Sequence, residues 1–196
     1  MTLHATYLEQ PMPGDETEGV SIIDVNPFGT NGEKDRRLLI RKDAEPTMIL
    51  QLYVRADEDG WLISSAFSEF LLNDSYIAII CGDHFHVIDM TTHSVRSHSL
   101  DDYVAHIYSI PDVYSDRLHD RVMVTTYCHV FLIDIAAGIL WKSSQCAIDG
   151  VIITSIENDT VLGLGEWDPP GGWELFKLDL KTGIADWRRD YPHTNC

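Results

Sequence analysis

The sequence predicts an all-β protein, and three observations lead to this fold class. Asp89, Asp134 and Asp179 follow one another at intervals of 45 residues. Each aspartate closes a short apolar run that is typical of a strand and opens a turn. The region that contains them shows no 3.6-residue apolar period long enough to indicate a helix. Together these features predict a repeated β unit rather than a helical or mixed fold.

The surroundings of the three aspartates align with one another. The apolar runs are HVIDM, FLIDI and FKLDL, at 86–90, 131–135 and 176–180. The fourth residue after each aspartate is His93, Gly138 or Gly183. Glycine at this place predicts a turn residue with positive φ, a conformation in which histidine is tolerated less well.

Each repeated unit contains four predicted strands. They are expected at 62–72, 76–80, 86–89 and 95–99, then at 103–110, 121–125, 131–134 and 139–143, then at 151–156, 160–164, 176–179 and 184–188. The third unit carries six additional residues, 167–172, in one hairpin loop. Four short strands with this period predict propeller-like, four-stranded blades, about three in number.

The turn sequences also carry a family resemblance. The stretch 179–187, DLKTGIADW, resembles the D-x-x-T-G-x-x-x-W signature of PQQ-like (quinoprotein-type) β-propeller repeats, and 134–141 is a degenerate copy. The resemblance covers roughly residues 62–190. It implies blade geometry, with Trp141 and Trp187 docking against a neighbouring blade. The cofactor and metal ligands of quinoprotein enzymes are not found in this sequence, so no cofactor is expected.

The N-terminal third does not fit the repeat. We therefore divide the chain into an irregular N-terminal β segment, 1–60, and three propeller-like repeats of about 45 residues, 61–196. Strands are predicted at 20–25, 37–41 and 48–55. Two arrangements remain: the segment completes a closed four-bladed ring, or it caps an open row of three blades. We favour the open form, although three blades are below the usual four to eight.

Composition excludes several classes of function. The chain has 196 residues and a formal net charge of -17, which argues against binding to nucleic acid or to anionic membrane. No apolar run is long enough to span a bilayer. Residues 1–14 lack the basic and apolar regions of a secretory signal, so a cytoplasmic location is expected.

No catalytic or metal-binding motif stands out. His84, His129 and Glu174 occupy equivalent places in the three repeats, but such places in adjacent blades should lie too far apart to share a metal. The four cysteines are scattered and form no C-x-x-C pair. The sequence lacks the nucleophile, zinc-protease and phosphate-loop motifs. We therefore expect a protein that is not an enzyme and holds no metal.

Acidic and aromatic residues gather in loops that a blade would place on one rim. Carboxylates beside exposed aromatic rings favour a protein partner with Lys and Arg on its surface. The predicted partner-binding residues are Asp83, Asp101, Asp102, Tyr103, Tyr127, Asp149, Glu166, Trp167 and Asp168.

These residues predict a non-enzymatic protein-interaction module. In size and charge the chain resembles immunity proteins, so a narrower hypothesis is an immunity or inhibitor-type protein that binds a basic toxin or enzyme domain. One alternative is a self-associating scaffold or assembly subunit, for example a homodimer. A second alternative is a hydrolase or ligand-binding propeller with a central site.

Overall fold

The computed structural model describes residues 3–8, 19–64, 67–168 and 170–185. Within these residues the chain forms fifteen β-strands in four sheets, one short 3-10 turn at Gly29–Asn31, and no α-helix. The predicted all-β fold with blade-like sheets is therefore confirmed. The described residues include no helix with the length and apolar character that a membrane crossing requires.

Sheet I is built from the N-terminal segment. Its strands are β1 (Leu3–Leu8), β2 (Ser21–Val25), β3 (Glu33–Lys42) and β4 (Glu45–Val54), in the order β1-β3-β4-β2, and β2 runs parallel to β4. Strand β1 was not predicted from the sequence. Its signal is the alternation of Leu3, Ala5 and Tyr7, which pack against the core between sheets I and II.

The repeats form three antiparallel meanders. Sheet II holds β5 (Phe70–Leu72), β6 (Tyr76–Cys81), β7 (His84–Asp89) and β8 (Val95–Ser99). Sheet III holds β9 (Val104–Ser109), β10 (Arg121–Thr126), β11 (Val130–Asp134) and β12 (Gly138–Lys142). Sheet IV holds β13 (Val151–Glu157), β14 (Thr160–Glu166) and β15 (Trp173–Asp179). The additional residues 167–172 connect β14 to β15, as predicted.

Two of the predicted strands are described only in part by the structure. The strand expected at 62–72 is limited, among the described residues, to an isolated bridge at Leu62 and to β5. The predicted strand was too long because this segment crosses from sheet I to sheet II. Within the segment, Ile63 N donates a hydrogen bond to Arg55 O, at the end of sheet I, at 2.8 Å. Of the strand expected at 184–188, Ala185 bridges Leu178, and residues 186–188, with Trp187, lie outside the described residues.

The four sheets stand in a row, with a hydrophobic core between each neighbouring pair. Leu50 of sheet I meets Ile79 of sheet II, Phe85 of sheet II meets Val124 of sheet III, and Leu132 of sheet III lies in one core with Phe176 of sheet IV. No core cluster of the described residues joins sheet I to sheet IV. Within the part of the chain that the structure describes, the sheets form an open row with the N-terminal segment at one end.

The repeated aspartates cap the turns that follow them. The side-chain oxygen Oδ1 of Asp89, Asp134 and Asp179 accepts hydrogen bonds from two backbone N–H groups of its turn, at distances of 2.8 to 3.1 Å. Hydrogen bonds within these turns lower the pKa of all three carboxyl groups. The predicted positive φ is confirmed at His93 (61°), Gly138 (90°) and Gly183 (69°).

The first two repeats each dock on the turn of the next one. Trp141 Nε1 donates to Leu180 O at 3.0 Å, and its ring lies against Gly183. Trp141 therefore packs against the neighbouring sheet.

Sheet II makes the equivalent contact with two side chains. Arg96 donates to the carbonyl oxygens of Ile135 and Ala136, and the His98 ring lies beside Gly138. Arg96 and His98 thus replace the tryptophan that is missing from the first repeat.

Candidate protein-binding surface

Backbone hydrogen bonds tie the predicted rim loops into one continuous edge. Leu100 N donates to Asp83 O, Tyr127 N to Tyr103 O, Cys146 N to Cys128 O, and Ile148 N to Glu166 O, at distances of 2.7 to 3.1 Å. We call this edge, formed by residues 82–83, 100–103, 127–129, 143–150, 166–168 and 170–172, the acidic rim. None of these loops contains Lys or Arg. The structure thus places the loops that carry the nine predicted partner-binding residues at the same ends of the strands.

Two tyrosines form the aromatic centre of the acidic rim. The rings of Tyr103 and Tyr127 stack with centroids 5.6 Å apart and an angle of 23° between their planes. Tyr103 is exposed and Tyr127 is half-buried. Asp102 fixes this pair, because its carboxylate accepts hydrogen bonds from Tyr103 N (2.8 Å) and Cys128 N (3.0 Å). Asp102 therefore has a structural role beneath the tyrosines.

Three other carboxylates of the rim are available for a partner. Asp101, Asp149 and Asp168 are exposed, and their side chains make no hydrogen bond or ion pair with the described part of the chain. Carboxylates that are free of internal partners can pair with incoming Lys or Arg without breaking a bond in the protein. These three residues are thus the charged contacts that the rim can offer.

The additional loop of the third repeat folds onto itself. Trp167 N donates to Gly172 O at 2.9 Å, and Gly172 N donates to Asp168 O at 3.0 Å. The Glu166 carboxylate accepts a hydrogen bond from Gly171 N at 2.5 Å. These hydrogen bonds join the two ends of the loop, with Trp167 half-buried and Asp168 exposed.

Asp83 departs from the prediction. It is only 4% exposed, and its carboxylate binds Arg55 Nη2 at 2.7 Å and His84 Nδ1 at 2.6 Å. Burial alone would raise its pKa, but hydrogen bonds and charge from His84 and Arg55 hold the pKa of Asp83 below its usual value. Asp83 is therefore not a contact of the exposed rim, because Arg55 at the end of sheet I covers it.

The histidines of β7 lie in the interface between sheets I and II. Phe28 packs edge-on against His84, and His84 stacks on His86. His86 is fully buried, with Nδ1 bound to Ser97 Oγ at 2.8 Å and Nε2 without a partner among the described residues. Burial, aided by the charge of His84, lowers the pKa of His86 to about 3. This histidine is neutral at ordinary pH and serves packing.

The metal set considered from the sequence is dispersed. His84, His129 and Glu174 belong to sheets II, III and IV, and no three His, Cys, Asp or Glu side chains of the described residues come together as a metal-binding group. The buried thiols are poor nucleophiles, because burial raises the pKa of Cys81 to about 12 and that of Cys146 to about 11.

A second polar cluster, which was not predicted from the sequence, lies where the first two repeats meet. Glu69 accepts a hydrogen bond from Ile107 N at 2.9 Å and binds His106 Nδ1 at 2.7 Å. Phe67 packs on the His106 ring with centroids 4.4 Å apart. The carboxylate thus orients the histidine and links the segment before β5 to β9. Glu69 and His106 are far apart in sequence, so no local motif announces this pair.

Comparison with known proteins assigns no family to this chain. Neither the models of protein families nor the curated proteins include a match to this sequence. Among solved structures, hydrazine synthase of Kuenenia stuttgartiensis is similar with a TM-score of 0.49 and 13% sequence identity, over 86% of this chain and 48% of that one. The chain spans about half the length of that structure. A likeness of this degree indicates no shared activity or ligand.

Proposed function

We propose that the protein is a non-enzymatic interaction module that binds a basic protein through the acidic rim. The narrower form of the proposal is an immunity or inhibitor-type role in the cytoplasm, in which the rim covers a basic toxin or enzyme domain. The net charge of -17 supports attraction to a basic partner, because it accelerates encounter with a surface of opposite sign.

One observation carries the proposal. Asp101, Asp149 and Asp168 are exposed and make no internal ion pair within the described residues, and they share one edge with the stacked pair of Tyr103 and Tyr127. Aromatic rings supply contact area at low entropic cost, and carboxylates supply selectivity for basic groups. A merely solubilising edge would need the charges but not the ordered tyrosines.

The test is capture from the native source with the tagged chain, followed by mass spectrometry. The decisive variant combines Asp101→Asn, Asp149→Asn and Asp168→Asn, which removes three charges that hold no bond to the described residues. The expected result is a basic protein that the wild type retains and this variant loses.

A matched variant controls for net charge. Asp74→Asn, Asp116→Asn and Asp120→Asn also remove three charges, but these residues lie in loops at the opposite ends of the strands. Their exposed side chains likewise make no bond within the described part of the chain. Retention of the partner by this control is expected. Equal loss in both variants would show that net charge, and not the rim, governs binding.

A further inference from the structure

Sheet IV ends the row with a largely apolar outer face. Its inner face packs on sheet III through Val161, Phe176 and Leu178. On the outer face the strand register aligns Ile152, Leu164 and Leu175 in one row across the sheet. Trp173 is two residues before Leu175 on β15 and shares this face. Leu175 is 68% exposed, and Trp173 and Ile152 are exposed as well.

The 45-residue repeat identifies the face of sheet III that is equivalent to the outer face of sheet IV. Leu175 and Lys177 stand 45 residues after Val130 and Leu132. Val130 and Leu132 are buried in the core through which sheet III packs on sheet IV. The outer face of sheet IV is therefore the equivalent of a docking face. The exposed Lys177 replaces a buried leucine, however, and burial of an unpaired ammonium group is costly. A further sheet is thus disfavoured over the Lys177 half of the face.

The other half of the outer face joins the acidic rim. Trp173 lies over Gly150, where a Cβ atom would be 3.2 Å from its ring and 3.9 Å from the Glu166 carboxylate. Trp173 and Glu166 are also cross-strand partners. The exposed side chain of Ile148 lies next to Asp149, in a loop bound to Glu166 O. Apolar and acidic surface are therefore contiguous at this end of sheet IV.

We infer that the Trp173 and Leu175 half of this outer face is a docking surface for the same partner, and that the partner presents an apolar cluster bordered by Lys or Arg. The inference rests on the proposed function and extends the contact from the acidic rim onto the sheet. Charge complementarity selects this occupant over a second copy. A second copy would bring its own net charge of -17 and the same acidic loops to the interface, which is repulsive.

The test compares two substitutions of exposed apolar residues in the full chain. Leu175→Ser removes an apolar residue that is 68% exposed on the outer face, and Ile22→Ser removes one that is 58% exposed on the edge strand β2 of sheet I. Each tagged variant is first tested for retention of the partner. The partner is then identified and purified, and its affinity for each variant is measured by titration. Leu175→Ser is expected to weaken binding by about tenfold or more, as for a central apolar contact, and Ile22→Ser to leave affinity within about twofold.

The outcomes separate this inference from the proposed function. A partner that Leu175→Ser binds as tightly as wild type, while the Asp101, Asp149 and Asp168 variant loses it, overturns the inference and leaves the proposed function standing. A partner retained equally by wild type, Leu175→Ser and the rim variant overturns both, as does the absence of any retained basic protein. Light scattering that shows a dimer in wild type and a monomer in Leu175→Ser assigns the face to a second copy and also overturns the inference.

Discussion

The indole of Trp141 donates its Nε1 hydrogen to the carbonyl oxygen of Leu180, 3.0 Å away, and its ring covers Gly183. Sheet III is thereby bound to the turn that follows Asp179 in sheet IV. The contact explains why an aspartate, a glycine and a tryptophan recur together. The aspartate shapes the turn, the glycine leaves space, and the tryptophan of the preceding repeat fills it.

Loss of this hydrogen bond should be measurable by itself. Trp141→Phe keeps an aromatic ring but removes the donor to Leu180 O, and it is expected to lower the free energy of unfolding by about 1 kcal/mol. Trp61 is 75% exposed, so Trp61→Phe should change stability by less than about 0.5 kcal/mol. Urea unfolding of both variants checks this prediction, and equal stabilities would contradict it.

The glycine beneath the tryptophan should be even less tolerant. A Cβ atom at Gly183 would lie 2.5 Å from Cε3 of Trp141, at a φ of 69°. Gly183→Ala should therefore cost about 2 kcal/mol or more, through strain and displacement of the ring. Gly171 also has a positive φ, 101°, but no atom within 4 Å of the added Cβ. Gly171→Ala isolates the backbone strain, and a cost as large as that of Gly183→Ala would show that the ring contact is unimportant.

Arg96 should stabilise the junction of sheets II and III. Its guanidinium donates to Ala136 O at 2.6 Å and also to Ile135 O, so Arg96→Met should cost about 1.5 kcal/mol. Arg121 reaches Asp134 at 3.5 Å in an exposed ion pair, so Arg121→Met should cost less than about 0.5 kcal/mol. Thermal or urea unfolding distinguishes the two, and an equal effect would exclude a special role for Arg96.

Acid should destabilise the interface of sheets I and II through His86. Its pKa falls from 6.5 in the unfolded chain to about 3 in the folded protein because the ring is buried. The unfolded state therefore binds the additional proton between these values, so stability is complete above pH 6.5 and is lost as pH falls toward about 3.

The variant His86→Leu removes the imidazole that binds this proton in the unfolded state. Urea unfolding as a function of pH should show a dependence that is shallower than that of wild type by up to about 1.4 kcal/mol per pH unit. Identical slopes for wild type and His86→Leu would contradict the assignment.

The repeated sheets were predictable because their signals are local. The spacing of Asp89, Asp134 and Asp179 marks the hairpins, and the alternation along each strand marks the faces. The structure shows the contact of Trp141 with the next repeat, while the resemblance of the turns to PQQ-like repeats stays a prediction. The order of sheet I was not predictable, because the parallel pairing of β2 with β4 and the addition of β1 depend on contacts between segments distant in sequence.

The acidic rim was predictable in place but not in detail. Blade geometry assigns Asp101, Asp149 and Asp168 to one edge, and the structure places them there. Two details depend on tertiary contacts that the local sequence does not reveal. Arg55, which covers Asp83, is 28 residues away from it, and Cys128, whose backbone N–H binds Asp102, is 26 residues away. The pairing of Glu69 with His106 was missed for the same reason, since it spans 37 residues.

The most direct test of the account is the salt dependence of binding to the captured partner. Raising the NaCl concentration from about 50 to about 300 mM should weaken the wild-type affinity by about tenfold, because exposed ion pairs are screened. Calorimetric titration at each salt concentration measures this change. The variant with Asp101→Asn, Asp149→Asn and Asp168→Asn should bind more weakly at low salt and lose most of this dependence. A wild-type affinity that is unchanged by salt and equal to that of the variant would contradict recognition through the acidic rim.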